Sequence, residues 1–477
     1  MKRPMSIALL VLFALIAAAC GGDDDDDSSA EPTAESSEEA ATDDAPADDA
    51  AADDSADDDA ADDAAGDDAS GDDSTDEAAA EDASDDAAAT GDSGPADDSL
   101  EPVRIGLLNQ ENDVVGSFPE YRIGTEGAVA YVNAELGGIG GHPVELVTCV
   151  QGGVEPAQEC AQQLATDDLV SLINGVNIWT FAFDFYGTMG ETPVIGGLPL
   201  FPSDYNQANA RYFNGGSISV YSAMARFAAE ELGAQKVSVL VNSNPAADAA
   251  VAQGLVPIFE QFGVEYTTID VPLPLTDAVP PVSQAAADES DIVMLLAAQN
   301  ECIPVATAAN QLGIPPEKML YSATCAAAEV YAEVGELIVG SWMARGGFVP
   351  EDPWAPQEVK DLLDEFDVLV ETYAPEAPDA AFTGLAWATF LDLHDLYEEV
   401  GVENLSDPAN IVAVSDDGQT RGRIGGYGWA CVYADIGLQS VCQGDNLFVQ
   451  IVDADGNSAP PPNDGAFVNG LELLSAQ

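Results

Sequence analysis

The chain has 477 residues, with 86 Asp and Glu against 12 Lys and Arg, giving a formal net charge of −74 at pH 7. That balance excludes attachment to nucleic acid or to an anionic surface through bulk electrostatics. Two histidines and seven cysteines with no C-x-x-C spacing leave little for general acid–base catalysis or a zinc cluster, and the residues call for no metal or cofactor.

In chain order, Lys2 and Arg3 precede an apolar run over 7–16, followed by Ala17, Ala18, Ala19 and Cys20. This is the layout of a secretory signal peptide over 1–20, too short to span a bilayer as a helix. The three alanines before a single cysteine resemble the lipobox of bacterial lipoproteins, with Ala17 where leucine is commoner. The resemblance implies lipidation of Cys20 and residence on the outer face of the cell membrane, held by the lipid alone. From Gly21 to Leu100 there are 33 acids and no Lys or Arg. Such a segment buries too little apolar surface to offset its ordering entropy, so 21–100 is expected to be an extended tether. It would reach about 270 Å fully stretched and about 50 Å as a coil. Gly91-Asp-Ser-Gly-Pro95 spells the nucleophile string of trypsin-like proteases. Ser93, however, sits in a tether with no scaffold for a histidine base or an oxyanion hole, and the string follows from local composition.

The body, 101–477, is long enough for two domains and keeps 53 acids against ten Lys and Arg, so the acidity is not confined to the tether. Its six cysteines allow 15 pairings but fall into three sequence-local couples, Cys149–Cys160, Cys302–Cys325 and Cys431–Cys442. With only His142 and His394 as zinc partners, three disulfides are expected, each worth about 3 kcal/mol. Apolar strand patterns fall at 103–108, 143–147, 170–173, 193–195, 237–241, 264–271, 291–296 and 319–321. Helical patterns lie between them at 121–136, 156–165, 221–232 and 246–262. Alternation of this kind predicts parallel sheets covered on both faces. Long helices follow at 356–373 and 382–400, and then a β-rich tail. Asp453-Ala-Asp-Gly-Asn457 in that tail opens like a calcium loop but lacks its closing glutamate, and reads as a hairpin turn.

Several segments in order carry a resemblance to a known family. They are Val103-Arg-Ile-Gly-Leu-Leu108, the helix through Asn133, the turn Gly137-Gly-Ile-Gly-Gly-His-Pro-Val-Glu-Leu146, and the strands opening at Lys236 and Asp291. Together they resemble the type I periplasmic-binding fold of branched-chain amino-acid ABC-transporter receptors. The resemblance implies an α/β fold of two doubly wound lobes joined by three crossovers, expected near 214–219, 345–350 and 421–427. The first lobe would be 101–216 with 348–420, and the second 217–347 with 421–477. It also implies a monomeric, non-enzymatic binder that captures an amino acid, amide or similar solute and delivers it to an ABC permease. A sensor passing the closed state to a signalling partner, and less readily a secreted hydrolase, are the alternatives. Ligands of open α/β sheets bind beyond the strands' carboxyl ends. On the first lobe that rule selects Gln110, Trp179, Thr180 and the backbone at Leu198. On the second it selects Asn244, Gln299, Glu301 and Thr324. By the family's pattern Thr180 and the backbone near Leu198 would take a ligand carboxylate, Trp179 would wall the site, and Glu301 or Gln299 would meet an ammonium. Asn177-Ile-Trp-Thr180 stands where the family has a serine-rich stretch, and Asn244-Pro-Ala-Ala247 where it has Asp, Tyr and Gly. These departures point away from a plain leucine, isoleucine or valine specificity. Each candidate also has a purely structural role open to it, such as capping the helix that follows.

Self-repulsion among so many carboxylates is relieved by screening. The melting temperature is therefore expected to climb steeply between low and molar salt; thermal melts across a NaCl series check this, and a flat response contradicts it.

Overall fold

The near-continuous apolar runs become central parallel strands in the computed structural model, which describes residues 94–113, 116–242, 244–347, 355–378, 381–422, 428–444, 447–453, 458–459 and 467–474. The leader with Cys20, the tether up to Ser93 and residues 454–457 of the hairpin signal lie outside these, as do 348–350 and 423–427 of the expected crossovers. β1 (Val103–Gln110) pairs with β2 (Val144–Gln151) and β3 (Ser171–Asn174); β4 (Val194–Gly197) and β5 (Ala210–Arg211) complete a parallel sheet ordered β2-β1-β3-β4-β5. A second sheet holds β6 (Lys236–Val241), β7 (Glu265–Asp270), β8 (Ile292–Leu296), β9 (Met319–Tyr321), β10 (Trp342–Arg345), β11 (Phe448–Val452) and β12 (Ser458–Ala459). Its order is β12-β11-β10-β9-β8-β6-β7, parallel from β10 to β7 and antiparallel through β11 and β12. In each sheet the order turns back on its first strand, β1 in one and β6 in the other. This is the doubly wound arrangement that opens a crevice at the strands' carboxyl ends.

Both faces of both sheets are covered, as parallel strands require. One face of the first sheet packs Tyr121, Trp387 and Phe390, all fully buried, from the helices Pro119–Glu135 and Ala381–Val400. The other carries Leu164, Met189 and Tyr212. Phe227 and Phe259 cover one face of the second sheet, and Val282 and Val305 the other.

The glycine-rich turn joins helix to strand as its composition requires. Gly138 has φ +74°, and a Cβ there would fall 1.9 Å from His142 O, so only glycine fits. Asn133 supports the same turn: its Oδ1 accepts from Val144 N at 2.7 Å and its Nδ2 donates to Val144 O at 2.9 Å, standing in for a strand neighbour as β2 begins. The helix expected over 246–262 is divided. A π turn at Val251–Leu255 separates Pro245–Ala250 from Val256–Phe262. Pro257 has no N–H to give Gln253, and Gly254 lets the helix approach Ile218 so closely that a Cβ would lie 2.7 Å from its carbonyl.

After β10 the chain returns to the first core, where the helices Gln357–Tyr373 and Ala381–Val400 pack. Trp429 stays there too, stacked on Phe213 with ring centroids 4.3 Å apart, and Cys442 belongs to the same core. Leu447 already lies in the second core. Between them Val441 bridges Tyr212 in parallel, and Ser219 Oγ donates to Gly444 O at 3.1 Å. Disulfides join Cys149 to Cys160, Cys302 to Cys325 and Cys431 to Cys442.

The amino end of β6 is pinned by an ion pair. Lys236 Nζ lies 2.7 Å from Asp288 Oδ1, and Ser238 Oγ donates to Asp288 Oδ2 at 3.0 Å. The Lys236 ammonium is the main cause holding the Asp288 carboxyl down at about 2, against an ordinary 3.8. A depressed carboxyl contributes stability above its unfolded pKa and loses it as pH falls through the folded value. Asp288→Asn is therefore expected to lower stability at pH 7 by about 0.5–1 kcal/mol, with the difference fading between pH 4 and 2 in paired urea melts.

Candidate functional site

The carboxyl ends of the first sheet's strands end in polar residues that bind one another. Gln151, closing β2, donates through Nε2 to Asn177 Oδ1 at 3.1 Å and to Gln110 Oε1 at 3.4 Å. Asn177 Nδ2 donates to Leu108 O at 2.8 Å and to Asn174 Oδ1 at 2.6 Å. Asn174 Nδ2 reaches Tyr212 OH at 3.4 Å, and the Tyr212 and Tyr186 hydroxyls are 2.6 Å apart. Tyr186 OH then donates to Asp204 Oδ1 at 2.9 Å, while Asp204 Oδ2 accepts from Leu200 N and Phe201 N, each at 2.8 Å. All six side chains after Gln110 in this chain are buried to at least nine-tenths. Burial pushes the Asp204 carboxyl up despite its donors, and lifts Tyr186 well above the usual phenol range. Gly197, with φ +100°, closes the edge; a Cβ there would sit 1.7 Å from Asn174 O.

Within this frame Gln110 has both ends of its amide engaged, donating to Gly116 O at 2.9 Å and accepting from Ile178 N at 2.8 Å. That second bond fixes the loop carrying Trp179 and Thr180. Trp179 Nε1 donates to Asp113 Oδ2 at 2.5 Å, and its ring stacks on Phe181, which is 40% exposed. Leu198 N donates to Asn174 O at 3.0 Å, so this N–H serves the sheet edge. Thr180 is buried, and its Oγ1 has no hydrogen-bond partner. Of the eight candidates, it alone borders a concavity of about 700 Å³ whose wall also carries Asp184, Glu191 and Asp407 and no Lys or Arg.

The second sheet's edge is organised by Asn242, which follows β6. Its Nδ2 donates to Val271 O and its Oδ1 accepts from Ala298 N, both at 2.9 Å. Asn244 caps the helix Pro245–Ala250, accepting from Ala246 N at 3.0 Å and Ala247 N at 3.1 Å. Gln299 donates to Glu329. Thr324 is exposed and donates to Ala297 O at 2.7 Å. Glu301, in the first turn of the helix Gln299–Gln311, is 3% exposed, and its Oε2 has no partner. Burial pushes its carboxyl up from the usual range. The Cys302–Cys325 disulfide joins the residues next to Glu301 and Thr324. The structure thus gathers the candidates into two groups, one per sheet edge.

Sequence reasoning selected the segment 242–244 after β6 but missed Gln151, Asn174 and Asp204. The signal for the first two was a polar residue ending an apolar strand, where no alternation demanded it. Among the described residues no group of three or more His, Cys, Asp or Glu side chains is placed to hold a metal ion, and no helix is long and apolar enough to cross a membrane.

A family model described as periplasmic binding protein matches residues 102–425. Among solved structures, a leucine-binding protein from Thermotoga maritima aligns with TM-score 0.57 at 17% identity, covering 76% of this chain and 99% of that one. A fatty acid ABC transporter substrate-binding protein from Thermomonospora curvata aligns with TM-score 0.63 at 13% identity, over 80% and 96%. An ABC-transporter solute-binding protein from Rhodopseudomonas palustris, solved with p-hydroxybenzoic acid, gives 0.56 at 15% identity, over 77% and 95%. A comparison with curated proteins gives no match. Identities this low speak for the fold alone, but the family model covers more than half of the sequence and the two doubly wound sheets have the family's topology. The chain belongs to the periplasmic binding protein family and has its type I fold.

Proposed function

We propose that this chain is an extracytoplasmic solute-binding lipoprotein that captures a small polar organic molecule between its two sheet edges and presents it to an ABC-type permease. One observation carries the reading. Each edge satisfies its own polar groups internally, yet each keeps one buried polar atom without a partner, Thr180 Oγ1 on the first and Glu301 Oε2 on the second. A buried unpartnered polar atom costs about 1–3 kcal/mol, and a ligand that meets both recovers that energy only in the closed form. The relatives support the role: their described ligands are leucine, a fatty acid and p-hydroxybenzoic acid, all small organic solutes. The absence of a histidine from this set of groups fits capture without covalent chemistry. In this reading Asn214–Gly216 forms part of the hinge between the two cores, and a lipid at Cys20 keeps the binder at the membrane that holds its permease.

Native mass spectrometry of protein purified without denaturation is expected to show one organic solute bound per chain. A chain that carries none, and captures none from amino acids, amides, ureas and polyamines, overturns the reading. Cys20→Ser is expected to move the protein from the membrane fraction to the soluble fraction; retention there contradicts the lipid anchor. For the ligand-free protein, the raised Glu301 carboxyl means the native chain holds a proton that the unfolded chain has lost, so stability falls as pH rises above about 4.5. Glu301→Gln is expected to gain about 1 kcal/mol at pH 7 and nothing at pH 4, read from urea melts.

A further inference from the structure

We infer that the solute is a cation, an amine without a carboxylate, and so of a different charge class from the carboxylic solutes named for the relatives. This rests on the solute-capture reading and adds the charge class of the ligand. The first support is an inventory of positive charge. Arg104, Arg122, Arg211, Arg226, Lys236 and Arg421 each face a carboxylate at 2.5–3.4 Å. Lys318 Nζ donates to Ser290 O at 2.7 Å, and Arg345 and Lys360 have partners as well. Every described Lys and Arg is therefore engaged within the protein. Arg122, beside the first edge, is held by both Glu111 and Glu126.

The second support concerns backbone donors, which would receive a carboxylate where no cation is free. Along the first edge Glu111 N donates to Gln151 O, Val176 N to Asn109 Oδ1, Ile178 N to Gln110 Oε1, and Leu198 N to Asn174 O. Leu200 N and Phe201 N are both taken by Asp204, and Pro199 has no N–H. These six N–H groups are therefore taken, and the Thr180 hydroxyl beside them accepts as readily as it donates. The third support is Glu301, an acceptor-only carboxylate when ionised, buried and with no partner for its Oε2. A carboxylate in that state calls for an ammonium; a second carboxylate would repel it.

Matched probes that differ chiefly in charge test this directly. Isothermal titration compares leucinol, leucine and 4-methylpentanoate, and separately tyramine, tyrosine and 3-(4-hydroxyphenyl)propanoate. In each trio the carbon skeleton is nearly constant while the charge changes. The expected result is that the amine binds at least about ten-fold more tightly than the anion, weakens as salt rises, and loses about ten-fold in Glu301→Gln. The wild-type ranking needs no variant, and a melting curve shows whether Glu301→Gln is folded. An anion or zwitterion binding most tightly, an amine affinity unchanged in Glu301→Gln, or a co-purified solute bearing a carboxylate overturns the inference while leaving solute capture intact. Binding of none of the six, with no co-purified solute, overturns both.

Discussion

A parallel sheet covered by helices on both faces has nowhere to place polar side chains except at the ends of its strands, and that restriction shapes the rest of this molecule. Leu107, Ile173 and Val194 must be apolar because no water reaches them. Strands β1, β2 and β3 then finish in Gln110, Gln151 and Asn174, where the backbone ladder runs out and amide side chains take over. The edge is braced because those amides, with Asn177, Tyr212 and Tyr186, form one hydrogen-bonded chain from Gln110 to Asp204. Rigidity at the edge is what a binding surface needs, since a partly ordered loop would have to be fixed at the ligand's expense.

Much of the fold was legible from the sequence, for a physical reason. The parallel strands are near-continuous apolar runs, and the turn at Gly137–Gly141 needs left-handed backbone that glycine alone adopts without strain. The short strands were not legible. Ala210–Arg211 carries two residues of pattern, and Trp342–Arg345 ends in a cation, so neither shows the periodicity that marked the others. The divided helix over 245–262 was hidden as well, since the pattern of apolar residues runs straight through the π turn. The late return of Trp429 to the first core is a contact between residues more than two hundred positions apart, which no local pattern records.

The candidate site was half legible. Topology says that residues after strand ends face the crevice, and it selected the loops at the strands' carboxyl ends. It does not say which side chains are already engaged. Gln110 and Asn244 are the polar residues a reader would choose for a ligand, and both are occupied by backbone. Thr180 and Glu301 differ from them only in what surrounds them, and that depends on the folded neighbourhood rather than on residue type. Charge adds a second filter of the same kind: the nine described cations of the body look sufficient to receive an acid until their partners are known.

The position of the disulfides carries a consequence for how such a protein changes its ligand over time. Cys302–Cys325 lies one residue from Glu301 and from Thr324, and Cys149–Cys160 is anchored two residues before Gln151. Each crosslink holds the backbone of an edge in place whichever side chains are mounted beside it. Substitutions at 301 or 324 can therefore change the side chains presented there while the loop paths persist, and a new surface chemistry need not wait for a new scaffold.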